Sequence, residues 1–188
     1  QVDPHQTLLA NVLALTKVQR QDLFARFNQP VDRLRWEMSP ATVNAYFHPF
    51  KNIIVFPAAV LKAPFYSLTQ SSSQNYGGIG AVIAHEISHA FDNNGALFDE
   101  YGNLSNWWTA EDAAHFKQLA QRMIDEFDGL PFAGQTVNGK LTVSENIADA
   151  GGLSCALSAA KAEADFDAQA FFINWARVWR TKARKEYQ

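Results

Sequence analysis

A chain of 188 residues with 47% hydrophobic and 13% aromatic content has enough apolar material for a domain with its own core and is not a disordered segment. Its formal net charge of −3 comes without a large basic block, which gives no reason to expect nucleic acid or an anionic membrane as partner. No apolar run reaches the roughly 18 residues of a transmembrane helix, and the start, QVDPHQTLLANV, lacks the pattern of a secretory signal.

Residues 6–27 carry apolar groups at Leu8, Leu9, Val12, Leu13, Leu15, Leu23 and Phe24, which predicts a long helix or a helix pair. NQPVDR breaks it. Strand formers then gather at Val43, Tyr46, Phe47 and Ile53 to Phe56, with a turn at His48 to Asn52. This predicts a β-hairpin over about residues 42–56 that ends at Pro57. SLTQSSSQN reads as a polar loop. From Tyr76 to Phe91 the pattern is helical, but its glycines weaken helix propensity and suggest that a neighbouring element approaches closely. After an irregular, turn-rich stretch, Thr109 caps a helix with Asp112 as its capping-box partner and a stripe of Phe116, Leu119, Ala120, Met123, Ile124 and Phe127. GLPFAGQTVNGK reads as a loop. SENIADAGGLSCALSAAKAEA reads as a helix with a candidate bend at Gly151-Gly152, and a last helix begins near Asp167. Cys155 is the single cysteine; it excludes an internal disulfide, favours a reducing compartment, and reads as a small buried residue. The balance is α+β, mostly α. The helical pattern reaches Gln188 without a stop signal, and another begins almost at the first residue. The expectation is that the 188 residues are a piece of a longer protein.

The most informative stretch is VIAHEISHAFD, residues 82–92. On an α-helix, positions i and i+4 share a face, so the imidazoles of His85 and His89 point into one space. A zinc ion at about 2.0–2.1 Å from each nitrogen fits between them. Glu86, about 100° further round, is poorly placed to ligate with them but can reach a water on the metal. Zinc lowers the pKa of that water toward about 7, and Glu86 can take its proton. Three ionisable groups in an otherwise apolar run would be costly without such partners.

Catalytic zinc takes three protein ligands and keeps one open position. Asp92 and Gly95 stand where a metzincin needs glycine and histidine, so that class is excluded. His5 is terminal, His48 lies in the hairpin turn, and His115 sits off its helix's apolar stripe. A carboxylate is the better candidate. In SENIAD, Glu145 and Asp149 are four apart on one helical face, as a metal ligand and a carboxylate that receives a histidine N–H would be. The competing reading is that Glu145 follows Ser144 at a helix N-terminus, where carboxylates are favoured anyway.

Four blocks in order, VNAYFHPFKNIIVFPAAVL, GGIGAVIAHEISHAFDNNG, DEYGNLSNWW and VNGKLTVSENIADAGGL, closely resemble the neprilysin-like zinc endopeptidases, peptidase family M13, including the bacterial oligopeptidase O type. The resemblance runs from about Pro30 onward. It implies a gluzincin, thermolysin-like catalytic core with a small edge hairpin packed on the H-E-x-x-H helix. The implied activity is hydrolysis of internal bonds of short peptides, with one zinc ion per chain. It implies His85, His89 and Glu145 as zinc ligands, Glu86 polarising the attacking water, Asp149 orienting a zinc-ligating histidine, and Asn44 and Ala45 binding the substrate main chain. An exposed hairpin edge suits that last role, because an extended peptide can add to it as a strand.

The departures from the family are also informative. The family's downstream oxyanion-stabilising histidine and substrate-holding arginine have no counterpart, since no histidine follows His115. The family's large cap domain, which lies mainly N-terminal, is likewise expected to lie outside these 188 residues. Residues 1–29 are then a helical lead-in and 30–188 a partial catalytic domain, expected to bind zinc but to be weak or inactive alone. The AQRMIDEF stretch lacks the cysteine of secreted animal members, which fits a cytoplasmic bacterial member. Alternatives are a non-catalytic peptide-binding module that keeps the hairpin, an intramembrane zinc protease, and a structural zinc protein. Glu86 speaks against the first, the lack of apolar runs against the second, and the single cysteine against the third.

Overall fold

The Thr7 hydroxyl accepts a hydrogen bond from the Ala10 N–H at 3.2 Å. It thereby satisfies one of the donors a helix start leaves free and opens helix α1, Leu8–Ala25. No residue of α1 is buried. The helix belongs to the first of two compact units, residues 1–32; the second spans 33–188. The structure, a computed structural model, describes residues 2–182.

In the second unit the hairpin is shorter than the residue pattern predicts. Strands β1, Tyr46–His48, and β2, Ile53–Val55, pair antiparallel with Phe47 opposite Ile54. Upstream, the chain turns where the Thr42 N–H donates to the Ser39 carbonyl at 2.9 Å, and residues 42–45 stay outside the strand. Asn52 closes the hairpin turn at φ 46°, a left-handed conformation that asparagine tolerates. The buried Lys51 ammonium donates to the Arg35 carbonyl at 2.9 Å and to Glu37 at 3.2 Å, and His48 Nε2 lies 3.0 Å from the same Glu37 oxygen. These contacts clamp the incoming chain to the hairpin.

The polar stretch expected as loop is partly helical. Ser71 and Gln74 form a reciprocal capping box that starts α2, Ser72–Asn75. The chain continues through a π-helical turn over Tyr76–Gly80 into α3, Ala81–Ser88, and a 3₁₀ turn at His89–Phe91. A Cβ on Gly77 would stand 2.2 Å from the Phe171 carbonyl oxygen, and one on Gly78 2.3 Å from that of Phe65. This is the close approach that the glycines suggested.

Helix α4, Ala110–Phe127, is capped by Thr109 as expected. Its apolar stripe is half-buried, apart from Leu119, which is exposed. The stretch read as a loop after it holds a minimal hairpin, β3, Pro131–Phe132, and β4, Gln135–Thr136. Ala133 and Gly134 turn it with φ of 50° and 84°, a doubly left-handed turn without the usual Asn-Gly signature. Helix α5, Gly139–Ala160, starts earlier than the pattern indicates, capped by Asn138, and runs unbroken through Gly151-Gly152. Cys155 is exposed on it rather than buried, because it faces away from the small residues Gly152, Ala156 and Ala160 that pack inward. Helix α6, Ala168–Val178, is capped by Asp167. The pattern read toward Gln188 therefore leaves the helix at Val178, and residues 183–188 lie outside the described part.

The second unit is α+β and mostly α, with two small two-stranded sheets among the described residues. Its core has two patches, one on either side of α3. Val82 packs with Ala45, Val60 and Ile79 against Phe56 and Phe65, whereas Ala81 packs with Ala156, Ala160 and Phe171. The motif helix is therefore apolar on both flanks, which leaves the His85–His89 face as its polar window. No helix of the described residues is long and apolar enough to cross a membrane.

Candidate metal centre

His85 lies on α3 and His89 one turn later, where the helix tightens. Their ring centroids are 4.5 Å apart with planes at 88°. Helix α5 lies against α3 so closely that a Cβ on Gly152 would stand 2.7 Å from the His85 nitrogen and 2.9 Å from the Ala81 oxygen. Backbone atoms cannot yield to it, so only glycine permits this approach. One consequence is that Glu145 and Asp149, a turn apart on α5, face the histidine pair. Ser144 is not a cap, because α5 begins at Gly139; the helix-start explanation of Glu145 does not hold.

A single Glu145 oxygen lies 3.4 Å from His85 Nε2 and 3.7 Å from His89 Nε2. The other ring nitrogens point outward to carboxylates, His85 Nδ1 to Asp149 at 2.9 Å and His89 Nδ1 to Asp92 at 2.7 Å. An ionised carboxylate only accepts, so each Nδ1 donates to its carboxylate and each Nε2 is left facing Glu145. The donor atoms of the three residues lie within 4.8 Å of one another. Tetrahedral zinc with bonds of about 2.0–2.2 Å holds its ligand atoms about 3.3–3.5 Å apart, so the three fit such an ion with little movement.

Glu86 is 6% exposed. Burial pushes its carboxyl above the ordinary value, against the pull of His85, His89 and the Phe47 N–H. For His89, burial opposes protonation, yet the Asp92 hydrogen bond and the charges of Glu145, Asp92 and Glu86 together raise it. Burial also works against ionisation of Asp92, but bonds from His89, Ser144, Gly95 and Asn94 prevail and hold it below the usual carboxylate range.

Asn44 and Ala45 precede β1 and line the same cavity, of about 720 Å³, as His85, Glu86, His89, Glu145 and Asp149. The seven residues singled out from the sequence thus meet in one place. Sequence reasoning missed Asp92 as a histidine partner and Ser144 as its donor. The three-residue spacing from His89 to Asp92 is visible in the sequence, but by itself Asp92 reads there only as a departure from the metzincin pattern. It also missed the apolar wall of Val60, Phe65, Val82 and Trp179, which comes from four separate segments.

Two helices that close an H-E-x-x-H turn and an E-x-x-x-D turn around a metal-sized gap define a metal-site core of the H-E-x-x-H class. The profile of peptidase family M13 matches residues 44–188. The neutral endopeptidase of Lactococcus lactis subsp. cremoris is 56% identical over 182 residues, covering 97% of this chain and 29% of the relative. The crystal structure of PEPO from Lactobacillus rhamnosis HN001 has a TM-score of 0.93 at 50% identity, covering 99% of this chain and 30% of that one. That of the Mycobacterium tuberculosis zinc metalloprotease ZMP1 in complex with an inhibitor has a TM-score of 0.84 at 41% identity, covering 89% and 28%. The chain belongs to peptidase family M13, and it spans less than a third of the length of these relatives.

Proposed function

We propose that this chain carries the zinc centre of an endopeptidase that hydrolyses internal bonds of short peptides. The reading rests on the convergence of two Nε2 atoms on one Glu145 oxygen, at 3.4 and 3.7 Å, beside the buried Glu86 in the same cavity. The names of the relatives, neutral endopeptidase and zinc metalloprotease, support the same activity for the longer protein.

His85, His89 and Glu145 hold the zinc, whose Lewis acidity favours deprotonation of water and polarises a carbonyl. Asp149 fixes the His85 ring so that its Nε2 faces inward. Glu86 takes a proton from water as the water adds to the scissile carbonyl carbon. It delivers that proton to the departing amine nitrogen as the C–N bond breaks, and so returns to its starting state. Among the described residues β1 pairs only with β2; the Phe47 N–H on its other edge bonds Glu86, and an extended substrate would add along the remainder of that edge, beside Asn44 and Ala45. Asn44 and Ala45 lie where they can hold that substrate's main chain. The apolar wall of Val60, Phe65, Val82 and Trp179 seats an apolar side chain beside the scissile bond.

The test is zinc content and hydrolysis of a short peptide by the full-length protein and its Glu86→Gln variant. The variant should keep its zinc and lose about 10²–10⁴-fold or more in turnover. Undiminished cleavage by the variant would contradict the assignment of Glu86. Peptide binding without cleavage by the wild type would favour a non-catalytic peptide-binding module.

A further inference from the structure

Asp92 is 2% exposed and every acceptor position on it is filled. Oδ1 accepts from the Asn94 and Gly95 N–H groups, each at 2.7 Å, and Oδ2 accepts from His89 Nδ1 at 2.7 Å and from the Ser144 hydroxyl. Ser144 immediately precedes Glu145 on α5. One carboxylate therefore touches both the imidazole of the motif helix and the helix that supplies the carboxylate facing it. Asp149, by contrast, reaches His85 through one bond with half of its own side chain exposed.

We propose that Asp92 is a positioning residue that holds His89 with its Nε2 lone pair toward Glu145 and ties that imidazole, through Ser144, to the helix carrying Glu145. This rests on the zinc reading above. The plainer role would be to close the turn after the motif helix through the Asn94 and Gly95 bonds alone. The two roles separate because the four bonds divide cleanly between the two oxygens.

In Asp92→Asn the fixed pair of backbone N–H groups claims the remaining oxygen, so the new NH₂ faces His89 and Ser144. A donor opposite Nδ1 favours the tautomer with the proton on Nε2, which blocks the nitrogen that faces the metal. Ser144→Ala leaves the turn intact and cuts only the tie to α5.

The experiment measures Zn²⁺ affinity by chelator competition and the d–d absorption of bound Co²⁺ in the full-length protein, with His89→Ala as reference. Asp92→Asn should bind Zn²⁺ about 10–100-fold more weakly and shift the Co²⁺ spectrum, and Ser144→Ala should lose affinity in the same direction by less. Wild-type affinity and spectrum in a folded Asp92→Asn protein would overturn the proposal. If Asp92→Asn does not fold, Ser144→Ala decides: reduced affinity supports the tie, and unchanged affinity overturns it. Failure of the wild type itself to bind zinc would sink the zinc reading first, which keeps the two failures distinct.

Discussion

Each of the paired imidazoles is held from behind by a carboxylate and presents its other nitrogen to Glu145. At this scale a substitution that spares volume but changes hydrogen bonding is the sharpest probe. Asp149→Asn should weaken zinc binding about 10–100-fold while the melting temperature of the metal-free protein stays close to wild type, because Asp149 is half exposed. Away from the site, Glu37 offers a pH test. Burial works against its ionisation, but Lys51 and His48 hold it below the ordinary carboxylate value. A carboxylate held low in the folded state adds stability above its unfolded pKa of about 4.3, and the gain is lost as pH falls through the lower folded value. Its side chain is 52% exposed, so water screens the pairs and the margin is small. Melting temperatures should favour the wild type over Glu37→Gln near neutrality, and the difference should disappear as pH falls below the ordinary carboxylate range.

Among the elements, the contact of α5 with α3 decides whether the site exists. Gly152→Ala would force a Cβ against three backbone atoms of α3. Overpacking of this kind costs about 1–3 kcal/mol, and by levering α5 outward it should also weaken zinc binding; denaturant midpoints and metal affinity together check both effects. What the residue pattern revealed follows from the range of the forces involved. The H-E-x-x-H face, the Thr109 and Asp167 caps and the stripe of α4 are set by neighbours three or four residues away, and all were legible. The late start of β1 at Tyr46 has no marker in the strand-forming pattern around it, and the helical start at Ser72 depends on a capping box inside what reads as polar loop. The bond from Ser144 to Asp92 spans 52 residues, which no local periodicity encodes. Glu145 and Asp149 were legible as a pair because they share a helix, whereas Asp92 was not recognised as a partner because its meaning comes from the fold.

For the molecule as a whole, the two core patches flanking α3 and the metal site share the same helix, so metal binding and folding are linked. Zinc at about a thousandfold excess over its dissociation constant should add about 4 kcal/mol of apparent stability, seen as a rise in melting temperature that His85→Ala abolishes. Phe171 is fully buried, and its removal should cost about 3–5 kcal/mol with or without metal, which separates loss of core from loss of site. The central claim is that His85, His89 and Glu145 hold one ion between them. Anomalous diffraction at the zinc edge from crystals of the zinc-loaded full-length protein tests it most directly. A single peak should stand about 2.0–2.2 Å from both Nε2 atoms and from a Glu145 oxygen; a peak bound elsewhere, or Glu145 turned away from an ion held by the histidines, would refute the three-residue site.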